Sequence, residues 1–179
     1  MKILEFFKKT LPFLFLVQKN DLIIGTILKS HLLITVRFLR DSSLCNYKVL
    51  SYIAVVDYPL RQSRFEVVYD FLSTTHNHRF RLKTYAHENT MLDSLTSLYP
   101  SANWNEREAW DIFGVFFKEH PDLRRILSDY GFEGHPLRKD FPLSGYLDLR
   151  YDENFKRVVV ESLSLDQSFR VFNYNKNTL

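Results

Sequence analysis

Among the 179 residues there is a single cysteine, Cys45. An intrachain disulfide is therefore excluded, as is any cluster or structural zinc held by several thiolates of this chain. Between Leu44 and Asn46 the thiol reads as a small core or loop residue without a role of its own. No run of about 18 uncharged apolar residues is present: Leu11 to Val17 is too short, and Leu22 to Leu39 is broken by Lys29, His31 and Arg37. The sequence thus predicts no membrane-spanning helix. GxGxxG, GxxxxGK(S/T), GxSxG and HExxH are all absent, which leaves the usual nucleotide and hydrolase chemistries without a motif. The net charge is only +3, without the blocks of Lys and Arg that mark a dedicated nucleic-acid binder. The stretch MKILEFFKKTLPFLFL lacks a small-residue cleavage site and is not Arg- and Ser-rich. It is not read as a targeting peptide, and a protein of this kind working inside an organelle is expected to be made there.

Glycine and proline are scarce and unevenly spread. Four of the five glycines (Gly114, Gly131, Gly134, Gly145) and three of the six prolines (Pro121, Pro136, Pro142) fall between Glu106 and Tyr146, so periodic structure gives way there to punctuated backbone. A linker would be poor in apolar residues, whereas this stretch carries Leu123, Ile126, Leu127, Tyr130, Phe132, Leu137, Phe141, Leu143 and Tyr146. An irregular segment of such length is usually functional and becomes ordered by lying on another surface. Most of that surface is expected to belong to a partner.

Elsewhere the pattern is periodic. Ile3, Leu4, Phe6, Phe7 and Leu11 share one face of a short helix that Pro12 ends. Phe13 to Val17 reads as a strand, Asp21 to Ile27 is a second apolar run, and Lys29 to Arg40 fits a helix turning Leu32, Leu33, Val36 and Leu39 inward. From Tyr47, β-branched and aromatic residues form a strand closed by Asp57-Tyr58-Pro59. Arg64 to Tyr85 predicts an antiparallel hairpin with one buried face: Phe65, Val67, Tyr69 and Phe71 alternate with Glu66, Val68 and Asp70, and Phe80, Leu82 and Thr84 with Arg79, Arg81 and Lys83. The outer side of its second strand is expected to be strongly cationic and solvated. Met91 to Leu98 fits a short helix. Asn103 is placed to cap a helix over 104–113, with Glu106 completing a capping box and Gly114 as its stop. Val158 to Val160 and Phe169 to Phe172 read as extended pieces, and the last residues, NYNKNTL, as frayed. The expected fold is α+β: a mixed or antiparallel sheet with a hairpin and flanking short helices over residues 1–117, then a long irregular C-terminal arm and tail over 118–179 that binds partners.

Glu106, Glu108, Asp111, His120, Asp122 and His135 could on paper ligate a metal and activate water, so a metal-dependent hydrolase using Glu108, Asp111 and His120 stands as an alternative. The spacing argues against it, because Glu106 and Glu108 point about 200 degrees apart on a helix. His76 and His78 form an HxH pair in the hairpin turn, where an exposed polar turn is the ordinary reading. Nucleic-acid binding through Arg79, Arg81 and Lys83 has no motif behind it. Arg124, Arg125, Arg138 and Lys139 are interleaved with Asp122, Asp129, Glu133 and Asp140, so their field on a phosphate backbone is weak. The planar fork of arginine suits interface ion pairs, which makes Arg124, Arg125 and Arg138 candidate anchors for a partner; equally, they can tie the arm to its own domain.

EREAWDIFG followed by HPDLRRILSDYGFEGHPLRKDFPLSGY closely resembles the family of the thirty-kilodalton subunit of respiratory complex I (NADH:ubiquinone oxidoreductase), in its mitochondrially encoded, subunit 9 form. The match runs back through SLYPSANWNE and RFEVVYDFLST to VDYP and so covers Val56 to Asp152. The resemblance implies an α+β domain with an extended C-terminal arm. It implies a place in the peripheral arm of the enzyme, on the matrix side of the mitochondrial inner membrane, with membrane association only through the complex. The implied partners are the forty-nine-kilodalton quinone-site subunit and neighbouring iron-sulfur subunits, and no nucleic acid. FMN and the iron-sulfur clusters belong to those partners, and this chain is expected to bind no cofactor and no metal. Carried over with the motif are Glu106, Arg107, Glu108, Asp111, Gly114, His120, Pro121, Arg124, Arg125, Gly131, His135, Pro136, Arg138, Lys139, Asp140 and Pro142. Their implied role is assembly and structure rather than catalysis.

Overall fold

The computed structural model describes residues 3–20, 22–165, 167, 170 and 172. The chain opens with α1 (Ile3–Thr10), followed by β1 (Phe15–Lys19), β2 (Leu22–Ile27) and, after one 3-10 turn, α2 (Leu32–Asp41). Three long strands come next: β3 (Val49–Asp57), β4 (Phe65–Ser73) and β5 (His78–Ala86). They assemble into a five-stranded mixed sheet of order β1-β2-β5-β4-β3, in which β2 and β5 run parallel and every other pair antiparallel. Asn20 and Asn77 take positive φ in the turns of the two hairpins, a backbone region that asparagine tolerates better than most residues.

One face of the sheet carries the core. Ile23, Ile27, Ile53, Phe65, Val67, Tyr69, Phe71, Phe80 and Leu82 join Phe7 of α1 and Leu32, Val36 and Leu39 of α2 in one buried cluster, together with Cys45. Leu33, expected inward, is only half-buried, and Thr35 takes the buried position instead. On the other face the hairpin departs from expectation. Glu66 and Val68 of β4 are buried as well as its inner residues, because β4 lies between β3 and β5 and its outer side chains are roofed by theirs. The expected cationic stripe is largely matched: Arg81 grips Asp70 through two bonds of 2.7 Å, and Lys83 meets Glu66 at 2.6 Å. Of the three cations only Arg79 stays exposed without an ion pair among the described residues.

Met91 to Leu98 is not a helix. It begins as β6 (Met91–Asp93), pairs in parallel with β7 (Phe116–Lys118), and continues in turns. Leu92, Leu95 and Leu98 are all buried, so their spacing of three satisfied a core without a helix. Between β6 and β7 runs α3 (Ala102–Phe113), two residues longer at its start than expected; its N-cap is Ser101, which makes no side-chain capping bond, and Asn103 is not a cap. Gly114 does terminate it, at φ +76 with its N–H on the Trp110 carbonyl.

The chain divides into two compact units, 1–141 and 142–179. Residues 118–141, the first part of the expected arm, thus belong to the unit of the sheet. The second unit holds a hairpin of β8 (Leu147–Asp152) and β9 (Arg157–Ser162), which contains the extended piece expected at 158–160. The side chains of Ile3 and Leu4, the NYNKNTL end and, of the piece expected over 169–172, Phe169 and Val171 lie outside the described residues. No helix among the described residues is long and apolar enough to cross a membrane.

Candidate functional site

Burial of a charge is costly unless it is paired and hydrogen-bonded, and besides Glu66, which Lys83 meets, three carboxylates, on Asp57, Glu106 and Asp111, are buried in the same unit. All three are acceptors for residues distant in sequence. Asp111 projects from α3 into the root of the arm. Its Oδ2 accepts the backbone N–H groups of Ile126, Leu127 and Ser128 at 3.0, 2.7 and 2.9 Å, and its Oδ1 accepts Nη1 of Arg125 at 2.9 Å. Burial pushes this carboxyl up, but the bonds from Ser128, Leu127 and Ile126 outweigh it and hold Asp111 well below the usual carboxylate range. Three consecutive N–H groups on one oxygen form a small anion-binding concavity made by the arm and filled by the protein's own carboxylate.

The C-terminal end of α3 provides the next contacts. Its last carbonyls have no intrahelical partners, and the arm supplies them. His135 donates Nδ1–H to the Asp111 carbonyl at 2.9 Å, Leu137 donates its N–H to the Ile112 carbonyl at 3.1 Å, and Arg138 donates Nε–H to the Phe113 carbonyl at 2.6 Å. Cationic Arg138 at this terminus also complements the negative end of the helix. Burial lowers the His135 pKa, so the ring serves as a neutral donor. Gly114 is tied to this arrangement: a Cβ there would meet His135 Nε2 at 2.6 Å and overlap Arg138.

Further along, the arm reaches the end of β3. Asp57 accepts two bonds from Arg64, at 2.7 and 2.9 Å, and the N–H of Lys139 at 2.8 Å. Arg64 in turn holds Asp140 at 2.7 and 3.1 Å and also pairs with Glu88. Its guanidinium therefore serves three carboxylates, and the Asp57 bond foremost raises its pKa. Arg64 and Arg138 both lie over the ring of Phe65, at 5.4 and 5.3 Å.

Glu106 does not close a capping box. It turns inward, accepting the N–H of Leu95 at 2.7 Å and the hydroxyl of Ser94 at 2.6 Å, which holds the segment after β6 away from helical hydrogen bonding. Arg107 donates to the carbonyls of Arg124 and Arg125 at 3.2 and 3.5 Å. His120, at the base of the arm, bonds the Asn103 carbonyl and the Asp122 N–H.

Of the other motif residues, Glu108 accepts the Tyr52 hydroxyl at 3.2 Å. Arg124 is 71% exposed and among the described residues its ion pair is with Asp122, while Arg125 and Arg138 are turned onto α3. Pro121 is exposed, Pro136 and Pro142 are half-buried, and Gly131 has φ +74 with open space around it. Glu108, Asp111 and His120 thus serve three different partners. Among the described residues no three His, Cys, Asp or Glu side chains come together as a metal donor set. His76 bonds the Ser43 carbonyl and stacks on His78, which faces Tyr47.

Asp57, Arg64 and Glu88 were not anticipated from sequence. A signal existed for Asp57: it follows Ile53 and Val55 at inward parity, where a carboxylate has no place without a buried partner. Nothing local pointed from it to Lys139.

A family model described as the respiratory-chain NADH dehydrogenase, 30 Kd subunit, matches residues 26–147. The chain is 61% identical over 137 residues to a subunit of the NADH-quinone oxidoreductase of Rhodospirillum rubrum, covering 76% of this chain and 64% of that one. It is 52% identical over 145 residues to NADH-ubiquinone oxidoreductase subunit 9 of Reclinomonas americana, covering 81% of this chain and 71% of that one. The match therefore spans just under two thirds of the bacterial relative's length. Among solved structures, a chain of the membrane-bound sulfane sulfur reductase, an archaeal respiratory membrane complex, superposes with a TM-score of 0.70 at 22% identity, over 79% of this chain and 85% of that one.

Proposed function

Since the chain belongs to the family of the respiratory-chain NADH dehydrogenase 30 Kd subunit, we propose that it is a structural and assembly subunit of the peripheral, matrix-side arm of mitochondrial complex I. On this proposal it binds no flavin, cluster or quinone. It supports NADH-to-ubiquinone electron transfer, coupled to proton translocation, by holding the forty-nine-kilodalton quinone-site subunit and the iron-sulfur subunits in place.

The observation that carries the reading is the surface of the second unit. Cross-strand pairs Leu149–Val160 and Tyr151–Val158 lie on one face of the β8–β9 hairpin with Leu147. These five side chains are 52 to 62% exposed. The opposite face carries Asp148, Glu161, Arg150, Asp152 and Arg157. A two-stranded hairpin is marginal on its own, and a contiguous apolar face of this kind marks a protein interface. Acidic and basic groups alternate around it, which suits a protein surface better than an anionic lipid one. Within the first unit Leu127, Tyr130 and Leu137 of the arm are exposed as well.

Two variants test the reading in detergent-solubilised membranes resolved on a native gel, stained for NADH dehydrogenase activity and probed for this chain. Val160→Asp is expected to deplete the large active band, since one lost apolar contact of about 1.5–3 kcal/mol corresponds to about ten- to hundredfold weaker docking. Asp140→Ala, which takes the arm's carboxylate from Arg64 and leaves the Lys139 N–H as the arm's bond to Asp57, is expected to lower the amount of assembled enzyme while the enzyme that does assemble keeps its turnover. Full assembly with lost turnover, or a chain found only as a free species near 21.4 kDa, overturns the assembly role.

A further inference from the structure

We propose that Glu106 is a buried proton-binding residue which, set against His120, makes the packing of the arm's root on α3 dependent on pH. Both side chains are fully buried, and Glu106 Oε2 lies 3.9 Å from His120 Nε2. The imidazole is fixed in its neutral form by its neighbours: Nε2–H donates to the Asn103 carbonyl at 3.3 Å, and Nδ1 accepts the Asp122 N–H at 3.1 Å. A second proton on His120 would break the bond to Asp122. His120 therefore brings no positive charge to the carboxylate beside it.

Among the described residues no other cation compensates. Arg107, the next residue on α3, is engaged with the carbonyls of Arg124 and Arg125, and with Asp122 it bears on His120 rather than on Glu106. From β4 the group facing Glu106 is the hydroxyl of Tyr69, itself buried and without a partner among the described residues, with Asp93 of β6 acting on the same tyrosine. An ionised Glu106 would thus be a buried charge opposed by two hydrogen bonds only, which is unfavourable.

The acid form satisfies every atom. Oε1 still accepts Leu95 N–H at 2.7 Å, while the Ser94 bond, donated by the hydroxyl to the ionised carboxylate, reverses across the same 2.6 Å so that Oε2–H donates to Ser94 Oγ. The Ser94 hydroxyl passes its own hydrogen to Thr96 Oγ1 at 2.8 Å and accepts the Thr96 N–H at 3.2 Å. Burial drives the Glu106 carboxyl up to about 7, with the Ser94 and Leu95 bonds opposing it. A folded-state pKa raised in this way stabilises the packed state fully below the ordinary value near 4.5 and loses that stabilisation as pH rises through about 7. His120, whose pKa burial lowers, sets the opposite limb: its contribution is present above the ordinary 6.5 and is lost as pH falls through the lowered value. The Glu106 contribution therefore declines up to about pH 7 and is gone above it, while that of His120 grows only up to 6.5, so between 6.5 and about 7 the packing loosens through Glu106 alone.

The test is backbone hydrogen exchange of the full chain at Leu95 and over 118–124, from about pH 5 to about pH 8, corrected for intrinsic rates. Relative to Glu106→Gln, protection in the unaltered chain is expected to fall by up to about tenfold per pH unit as pH rises toward about 7, and to run parallel above it, where the proton has left the folded state as well. Glu106→Gln, whose amide accepts from Leu95 and donates to Ser94, keeps only the His120 limb. The same pH course in both proteins overturns the proposal. A second readout needs no variant: with carboxyl-labelled glutamate in the unaltered chain, Glu106, assigned through its contact to Leu95 N–H, should titrate near neutrality, and a midpoint in the ordinary carboxylate range overturns it.

Discussion

Asp111→Ala is expected to be the most damaging single substitution in the first unit. It removes the acceptor of three consecutive N–H groups and strands Arg125, whose Nη1 also touches the Asp111 carbonyl and whose Nη2 holds the Gly134 carbonyl. Deleting one partner of a buried ion pair costs about 3–5 kcal/mol, and each N–H left unsatisfied adds to that. A chain of this size should lose roughly 10 °C of melting temperature. Tryptic cleavage after Arg124 and Arg125 should become fast, because their backbone is no longer pinned to α3. Asp111→Asn retains one acceptor oxygen but turns an amide donor or a neutral oxygen toward Arg125, so it should fall between wild type and alanine. The pH dependence has a definite sign. A depressed folded-state pKa stabilises fully above the ordinary carboxylate value and is lost as pH falls below it, so docking through Asp111 weakens below about pH 4. That limb lies below the range, from 4.5 to about 7, over which the Glu106 contribution changes. Unchanged melting and unchanged trypsin sensitivity in Asp111→Ala would show that the arm is not held by this carboxylate.

Gly114→Ala comes second, and Gly131→Ala is its internal control. Both glycines have left-handed φ, +76 and +74, so alanine at either costs about 1–2 kcal/mol in backbone strain. Only at Gly114 does the added Cβ also meet side chains, those of Arg138 and His135. Neither can simply swing aside, because each already donates to a terminal carbonyl of α3. Overpacking of this kind adds about 1–3 kcal/mol. Gly114→Ala should therefore unfold at clearly lower denaturant than Gly131→Ala and expose the 135–141 segment to exchange, whereas Gly131→Ala should leave that segment protected. Equal losses at the two positions would mean that the close approach to the arm contributes nothing.

Legibility followed the range of the interactions. The hairpin from Phe65 to Ala86 was plain because alternation and a polar turn are local, and the stop of α3 at Gly114 was plain because a left-handed C-terminal residue is a local demand. Glu106 was misjudged for the opposite reason. Its position three residues after Asn103 suits a capping box, but Leu95 offers a buried N–H eleven residues away, and a buried donor without an acceptor is worse than an exposed helix terminus without a cap. The same contact explains Met91 to Leu98. Leu92, Leu95 and Leu98 keep their spacing in a helix or in a strand with turns, and local periodicity cannot choose between them. Arg125 and Arg138 had two readings from sequence, a partner's surface or their own domain; the carbonyls of Asp111 and Phe113 took them inward.

The sequence by itself determined the α+β class, the family, the punctuated segment after α3 and the set of charged residues concentrated there. Those follow from residue type and spacing, which are properties of the chain before it folds. Only the tertiary structure decided where each charge is satisfied. It placed Asp57 with Lys139 across 82 positions, Asp111 with three N–H groups of the arm, and Glu106 beside a neutral histidine. The cause is that a buried carboxylate must find donors, and which donors come within reach is set by how the sheet, α3 and the arm pack together.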